Sequence, residues 1–206
     1  MVEALTMKIL ASITALPVVL ALATPVQAHR TEGLLQSSLV EVLPTQVGVE
    51  VTLVPGMDIA PKIVALLDHD HDGVISELES NAWSELFMAK QSVTVDGQSL
   101  PLKLQSVRAS PLGEITNGHA QIVVHYTAEL GQLVRGARTI VCANRYEPMP
   151  CAFQCNGLVP KAPGVRFTSH RRDERQRELT LAAEFIDPVG RDCNRQSSIL
   201  SVFLAP

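Results

Sequence analysis

The sequence is poor in aromatic residues, in charge and in any excess of basic residues. Aromatic side chains make up 4% of the 206 residues and charged side chains 18%, and 17 Lys and Arg stand against 21 Asp and Glu. Without a basic excess the chain has little with which to neutralise phosphates, so nucleic acid is not an expected partner. The hydrophobic share of 46% argues against disorder and is enough for one packed domain or a small pair.

Motifs of common catalytic sites are also missing. The sequence contains no G-x-S-x-G nucleophile elbow, no phosphate-binding loop and no H-E-x-x-H zinc-protease motif. We therefore expect a non-enzymatic protein. After residue 28 no segment reaches the length of about 20 apolar residues that a membrane-spanning helix needs.

The first 28 residues have the layout of a secretory signal peptide. Lys8 precedes an apolar run from Ile9 to Ala23, and Val26 and Ala28 occupy the −3 and −1 positions of a small-x-small cleavage site. This layout predicts a mature chain of residues 29–206 that is periplasmic or secreted and has no transmembrane anchor.

Four cysteines lie in the second half of the chain: Cys142, Cys151, Cys155 and Cys193. An even number of cysteines in an oxidising compartment favours two disulfides, with three pairings open. Buried free thiols are the alternative. No C-x-x-C pair is present, so a zinc site is not favoured.

Most of the mature chain has the pattern of short strands. Leu39–Leu43 and Val47–Val54 alternate apolar and polar residues, which predicts a hairpin, and the turn dipeptide Asp96-Gly97 predicts another between Val93–Val95 and Leu100–Val107. Short strands without long helices between them predict a mainly β fold, an antiparallel β-sandwich. The further predicted strands are His119–Leu130, Arg138–Ala143, Val165–Ser169, Leu179–Ile186 and Ser198–Leu204.

One segment, from Asp58 to Lys90, departs from the strand pattern because its apolar spacing changes from two to nearly four. This spacing predicts two short helices around a polar loop, inserted between two strands, with Asp58 as the N-cap of the first. The apolar face of the first helix consists of Ile59, Ile63, Leu66 and Leu67, and that of the second of Leu78, Ala82, Trp83, Leu86 and Phe87.

The polar loop has the oxygen-donor spacing of a calcium site. Ca²⁺ takes six to eight oxygen ligands, and a twelve-residue loop with acidic residues at positions 1, 3 and 5 can turn their carboxylates toward one point. A glycine at position 6, Gly73, permits the sharp bend. The candidate ligands are the carboxylates of Asp68, Asp70, Asp72 and Glu79, the backbone carbonyl of Val74, and Ser76 through its hydroxyl or a water molecule.

Ser76 and Glu79 also have the S-x-x-E spacing of a capping box, so the second helix is predicted to begin inside the loop. The segment from Asp58 to Lys90 resembles the EF-hand family and matches its loop pattern at each ligand position. The resemblance implies a helix–loop–helix that binds Ca²⁺ through the six residues named above. EF-hands usually occur in pairs, and no second loop is found here. An unpaired hand implies weaker binding, dimerisation or support from the sheet through Ile75.

A looser likeness connects the chain to exported bacterial proteins of unknown function that join β-rich segments to one EF-hand-like loop. The segments Val93–Leu104, Leu158–Val165 and Arg171–Gln176 carry this likeness. It supports the expected architecture and implies no catalysis.

The expected function is calcium binding by an exported protein, in which Ca²⁺ stabilises or shapes the domain. The alternative is a copper-binding or copper-oxidising protein, because cleavage after Ala28 leaves His29 with a terminal amine and an imidazole that can chelate copper. His119 and His125, six residues apart on one predicted strand, share a face and are candidates for further ligands. A third possibility is an interaction or adhesion module in which calcium merely shapes the surface that a protein partner binds.

Overall fold

The structure is a computed structural model that describes residues 33–117, 120–131 and 135–186. The predicted signal peptide (1–28), His29, His119, Cys193 and the predicted strand Ser198–Leu204 lie outside these residues. The described strands are β1 (Leu34–Val42), β2 (Gln46–Pro55), β3 (Gln91–Val95), β4 (Gln98–Ser99), β5 (Leu102–Ala109), β6 (Ile122–Glu129), β7 (Gly136–Asn144), β8 (Cys151–Gly157), β9 (Val165–Arg172) and β10 (Glu178–Phe185). The described helices are α1 (Ala60–Leu67), α2 (Glu77–Met88) and α3 (Leu112–Thr116).

The strands form two five-stranded sheets. The first sheet has the order β5-β6-β2-β1-β8 and the second the order β4-β3-β7-β10-β9. Neighbouring strands are antiparallel except β1 and β8, which are parallel. The prediction of a mainly β fold rich in antiparallel pairs is confirmed.

Both predicted tight turns are present, but one strand has a different partner. Val42 pairs with Val47 across the β1–β2 turn. Asp96 and Gly97 have φ values of 49° and 80°, the positive values that a primed hairpin turn requires. The hairpin predicted after this turn is wrong beyond Ser99, because β5 crosses to the first sheet and pairs with β6. The strand β8 and the short helix α3 were not predicted.

The inward-facing residues of both sheets contribute to one hydrophobic cluster. Buried and half-buried residues alternate along β1 and β10, which lie in different sheets. The cluster also includes residues of all three helices, among them Ile63, Phe87 and Ile115. The described body of the protein therefore has one core, and the helices complete it.

The sheets approach each other closely where β8 faces β9 and β10. A Cβ atom on Gly157 would lie 3.1 Å from Leu181 and 3.2 Å from Phe167, so a side chain at this position would press against the opposite sheet. Arg172 of β9 donates hydrogen bonds to the carbonyl of Cys155 and, at 2.6 Å, to Oδ1 of Asn156. These bonds join the outer strands of the two sheets.

A buried network of amide side chains links the two sheets. Asn144 Nδ2 donates to Gln36 Oε1 at 2.8 Å, and Gln91 Nε2 donates to Asn144 Oδ1 at 2.9 Å. The hydroxyl of Tyr126 donates to Gln91 Oε1 at 3.2 Å. Gln36 and Tyr126 belong to the first sheet and Gln91 and Asn144 to the second, so the network ties the sheets together.

The helices lie at one end of the two sheets. The segment that carries α1 and α2 joins the end of β2 to the start of β3, and α3 joins the end of β5 to the start of β6. The pairs Leu34–Pro55 and Ala109–Ile122 mark this end in the first sheet, and Gln91–Asn144 marks it in the second. No helix among the described residues is long and apolar enough to cross a membrane.

The cysteines inside the described part of the chain are free thiols. Cys142 and Cys155 are buried and Cys151 is half-buried. None of the disulfides that the even count favours is present among these three residues. Burial raises the pKa of Cys155 to about 11, so this thiol stays protonated at neutral pH.

Replacing Asn144 tests how much the amide network contributes to the free energy of unfolding. We expect Asn144→Ala to lower the free energy of unfolding by about 3 kcal/mol, because it leaves buried polar atoms of Gln36, Gln91 and Tyr146 without their partner. Denaturant unfolding measures the loss. The control is Asn81→Ala on an exposed face of α2, which we expect to change stability by less than about 0.5 kcal/mol. An equal effect of both variants would contradict this assignment.

Candidate metal centre

Two helix ends position the polar loop between α1 and α2. Helix α1 ends at Leu67, and the backbone N–H of Asp68 donates to the carbonyl of Val64 at 2.8 Å. Helix α2 begins at Glu77 with Ser76 as its N-cap. Two helices thus flank the polar loop. The first N-cap differs from the prediction, since it is Ile59 and not Asp58 and no side chain caps this helix end.

Asp68 is the buried carboxylate of the loop. Its residue is 4% exposed, and its Oδ1 and Oδ2 atoms accept hydrogen bonds from the backbone N–H groups of Asp72 (3.1 Å) and Gly73 (3.0 Å). The chain can turn back over this carboxylate because Gly73 has a φ of 84°, a left-handed conformation that costs glycine little. His71 also adopts a positive φ, 62°. The side chain of Asp68 thus faces into the loop.

Glu79 closes the loop from the first turn of α2. Its Oε1 accepts hydrogen bonds from the backbone N–H groups of His69 (2.6 Å) and Asp70 (3.3 Å). Its Oε2 accepts from the backbone N–H of Ser76 (2.9 Å) and from the Ser76 hydroxyl (2.7 Å), while the backbone N–H of Glu79 donates to that hydroxyl at 3.3 Å. The capping box predicted for Ser76 and Glu79 is confirmed.

These bonds hold the Glu79 carboxylate in its ionised form. Hydrogen bonds from the Ser76 backbone and hydroxyl, and further bonds from the backbones of His69 and Asp70, lower the pKa of Glu79 to about 2. The carboxylate is therefore fully charged at neutral pH.

Three of the predicted ligands converge on one point. One carboxylate oxygen each of Asp68, Asp70 and Glu79 lies within 4.8 Å of the others. Oxygens that bind one Ca²⁺ at 2.3–2.6 Å can be at most about 5 Å apart, so this spacing suits a shared cation. The loop also holds its acidic groups without basic partners, since no Lys or Arg in the described ranges forms an ion pair with them.

Two other predicted ligands, Asp72 and Ser76, hold hydrogen-bond partners within the loop. The carboxylate of Asp72 lies outside the converging group, and its Oδ1 accepts a hydrogen bond from the backbone N–H of Val74 at 2.8 Å. The side chain of Val74 is exposed. The hydroxyl of Ser76 is occupied by Glu79. In this conformation three of the four predicted carboxylate ligands, those of Asp68, Asp70 and Glu79, lie close together.

Three further residues of the loop differ in exposure. Ile75 is half-buried and packs against the hydrophobic core. His69 and His71 are exposed.

The histidines considered for copper do not form a described site. His29 and His119 lie outside the described residues. His125 lies on β6 next to Gly48 of the neighbouring strand, and among the residues whose positions are described it belongs to no group of three metal-ligating side chains.

The structure adds a contact to the site that the sequence did not indicate. Trp83, one turn after Glu79 on α2, donates a hydrogen bond from Nε1 to the hydroxyl of Tyr146 at 3.0 Å. Tyr146 follows β7 and lies far from the loop in sequence. The available clue was an apolar position on α2 filled by the one tryptophan of the chain, a residue whose N–H needs a partner when it is buried.

Removing the hydroxyl of Ser76 tests how much the N-cap of α2 contributes to stability. We expect Ser76→Ala to lower the free energy of unfolding by about 1 kcal/mol in calcium-free buffer, because the N–H of Glu79 and the carboxylate lose their partner. Urea unfolding measures the change. Ser80→Ala, in the first turns of the same helix, serves as the control and is expected to leave stability unchanged or slightly raised, since alanine favours helices. A loss of the same size in both variants would refute the capping role.

The lowered pKa of Glu79 predicts a pH dependence. Its folded-state value of about 2 lies below the ordinary 4.5, so the stabilisation from its ionised form is complete above about pH 5 and is lost as pH falls toward 2. The difference in free energy of unfolding between wild type and Glu79→Gln should therefore become smaller as the pH is lowered from about 5 to about 2. Urea unfolding in calcium-free buffer measures this difference. The difference for Ser80→Ala, which removes no titrating group, should stay constant. A Glu79→Gln difference that is independent of pH would show that the carboxylate is not held in this way.

The chain was compared with models of known protein families, with curated proteins and with solved structures, and none of the three comparisons gives a match. The function is therefore inferred from the chemistry of the residues themselves.

Proposed function

We propose that this protein is an exported, non-enzymatic calcium-binding protein in which the EF-hand-like loop 68–79 holds one Ca²⁺. The observation that carries the proposal is the convergence of carboxylate oxygens from Asp68, Asp70 and Glu79 within 4.8 Å. The spacing of acidic residues along the loop and the confirmed capping box support the same assignment.

Hard oxygen donors on an acidic loop favour calcium over softer metals. Transition metals such as zinc and copper prefer nitrogen and sulfur ligands, whereas Ca²⁺ prefers carboxylate and carbonyl oxygens. Asp68 and Asp70 contribute carboxylates that already face the common point. Asp72, the carbonyl of Val74 and Ser76 would complete the ligand set, which requires the Asp72 carboxylate and the Ser76 hydroxyl to exchange their present hydrogen bonds for the ion.

The ion would supply the positive charge that the loop lacks. Asp68, Asp70, Asp72, Glu77 and Glu79 repel one another, and backbone N–H groups offset this repulsion only in part. An ion that binds the folded state and not the unfolded chain stabilises the protein by mass action. We therefore propose that calcium fixes the helix–loop–helix segment on a β-sandwich formed by the two sheets.

Export to the periplasm or to the outside is part of the proposal. Its support is the signal-peptide layout of residues 1–28. In such compartments calcium is often plentiful, which favours a structural role over a signalling role. An unpaired loop fits the weaker half of the range from about 10⁻⁷ to about 10⁻³ M in which calcium sensors and extracellular modules bind.

Calorimetric titration of the protein with Ca²⁺, Mg²⁺ and Cu²⁺ tests this function. We expect one Ca²⁺ per chain, a Kd between about 10⁻⁷ and about 10⁻³ M, and weaker binding of Mg²⁺. Glu79→Gln should weaken calcium binding at least about tenfold, because a neutral amide replaces a carboxylate that closes the site.

Glu77→Gln is the matched control, because it removes the same charge from an exposed position of the same loop. Its calcium affinity should stay within about threefold of wild type. Equal losses in both variants would indicate diffuse attraction to an acidic surface and would contradict the assigned site. Unchanged binding by Glu79→Gln would remove this residue from the ligand set. Tight binding of Cu²⁺ that Glu79→Gln retains would favour the alternative site at His29.

A further inference from the structure

We propose that Tyr146 is a positioning residue for the calcium site, which sets the affinity of the loop by fixing α2 through Trp83. The inference rests on the proposed calcium function. It assigns a role in metal affinity to a residue that touches no metal ligand and lies 67 positions after Glu79 in the sequence.

The converging carboxylates lie at the facing ends of two helices and in the loop between them. Asp68 directly follows α1, which is anchored in the core by Ala60, Ile63 and Leu67. Glu79 lies in the first turn of α2. The distance between the two carboxylates therefore depends on how α2 is placed relative to α1. A ligand binds with reduced affinity when only a fraction of the molecules holds the competent arrangement.

Trp83 packs α2 against the hydrophobic core. Glu79 and Trp83 are four residues apart, so they lie on the same side of the helix. Trp83 is 4% exposed, and its Nε1 donates to the hydroxyl of Tyr146 at 3.0 Å. Its ring lies 6.0 Å from that of Tyr146 in an edge-on arrangement, and both rings contact Phe87. Hydrogen bond and ring packing together define one position of the helix.

Tyr146 is suited to this role because its backbone is bound to both sheets. Its N–H donates to Asn144 Oδ1 at 3.0 Å, and its carbonyl accepts a hydrogen bond from Gln36 Nε2 at 2.6 Å. Asn144 is 4% exposed and Gln36 is fully buried. The hydrogen bonds that lead from the two sheets through Tyr146 to Trp83 are thus buried, and the helix itself connects Trp83 to Glu79.

The C-terminal end of α2 has a second connection to the same network. Gln91 Nε2 donates to the carbonyl of Phe87 at 3.3 Å and to Asn144 Oδ1 at 2.9 Å. This bond fixes the end of α2 that is remote from the loop. The contact between Trp83 and Tyr146 lies one turn from Glu79 and is therefore the nearer of the two connections to the ligands.

Tyr146→Phe removes the hydroxyl and keeps the ring, and calcium titration of this variant tests the proposal. We expect the calcium affinity to fall about 5- to 30-fold, the size of coupling between sites that act through one structural element. Trp83 is the one tryptophan in the sequence, so its fluorescence reports directly on this contact. Calcium should change the emission of the wild type at the same concentrations that produce heat in calorimetry.

Val47→Ala is the control for a general loss of stability. Val47 is fully buried and lies beside the β1–β2 turn, at the end of the first sheet away from the helices. We expect the calcium affinity of Val47→Ala to remain within about twofold of wild type, because the contacts that position α2 are unchanged. An equal loss of affinity in Val47→Ala and Tyr146→Phe would overturn the positioning role.

A double-mutant cycle with Trp83→Phe identifies the bond responsible. If Tyr146 acts through Trp83, Tyr146→Phe should weaken calcium binding by less than about twofold when Trp83 is already phenylalanine. If Tyr146→Phe does not fold, as judged by circular dichroism, Trp83→Phe alone decides: a reduced affinity supports the proposal and an unchanged affinity overturns it.

The outcomes separate this proposal from the proposed function. A wild type that binds no calcium contradicts the calcium function, and the positioning role falls with it. A wild type that binds calcium, with Tyr146→Phe binding equally well, contradicts the positioning role alone.

Discussion

Amide side chains buried between the two sheets determine how the parts of this molecule fit together. Apolar contacts tolerate small sliding movements, but the hydrogen bonds between Gln36, Asn144 and Gln91 are lost when one strand shifts against its neighbour. The same network holds the backbone of Tyr146 and receives the end of α2. The register of the strands and the position of α2, the helix that carries Glu79, therefore depend on the same few hydrogen bonds.

The loop differs from the amide network in its electrostatics. Its carboxylates repel one another, whereas the amide groups of the network attract one another through hydrogen bonds. The net charge of the chain is −4, and the five acidic residues of the loop account for more than all of it. Six of the eight residues from 69 to 76, all but His71 and Ile75, donate backbone N–H groups to the loop carboxylates. These partial charges explain how the loop keeps its shape, and the remaining negative charge is the physical basis of the proposed calcium function.

Features with local causes were predictable from the sequence, and features that depend on distant partners were not. The capping box of Ser76 and Glu79 and the turn at Asp96-Gly97 depend on neighbouring residues, so short patterns were sufficient to predict them. The bond between Gln36 and Asn144 joins residues 108 positions apart. The sequence offers only one sign of this bond, a glutamine at a position of β1 that faces inward. The residue type alone does not identify the side chain to which it bonds. The position of the Asp72 carboxylate outside the converging group also depends on loop geometry that spacing alone does not determine.

The parallel pairing of β1 with β8 has a consequence for the order of folding. The hairpin of β1 and β2 can form as soon as Pro55 has been made, but the other edge of β1 stays open until residues 151–157 are available. Contacts between such distant parts of a chain form slowly, because a long loop must close first. During that interval an unpaired strand edge invites association with other chains. Completion of the first sheet is thus a late event, which is compatible with the proposed export of the protein.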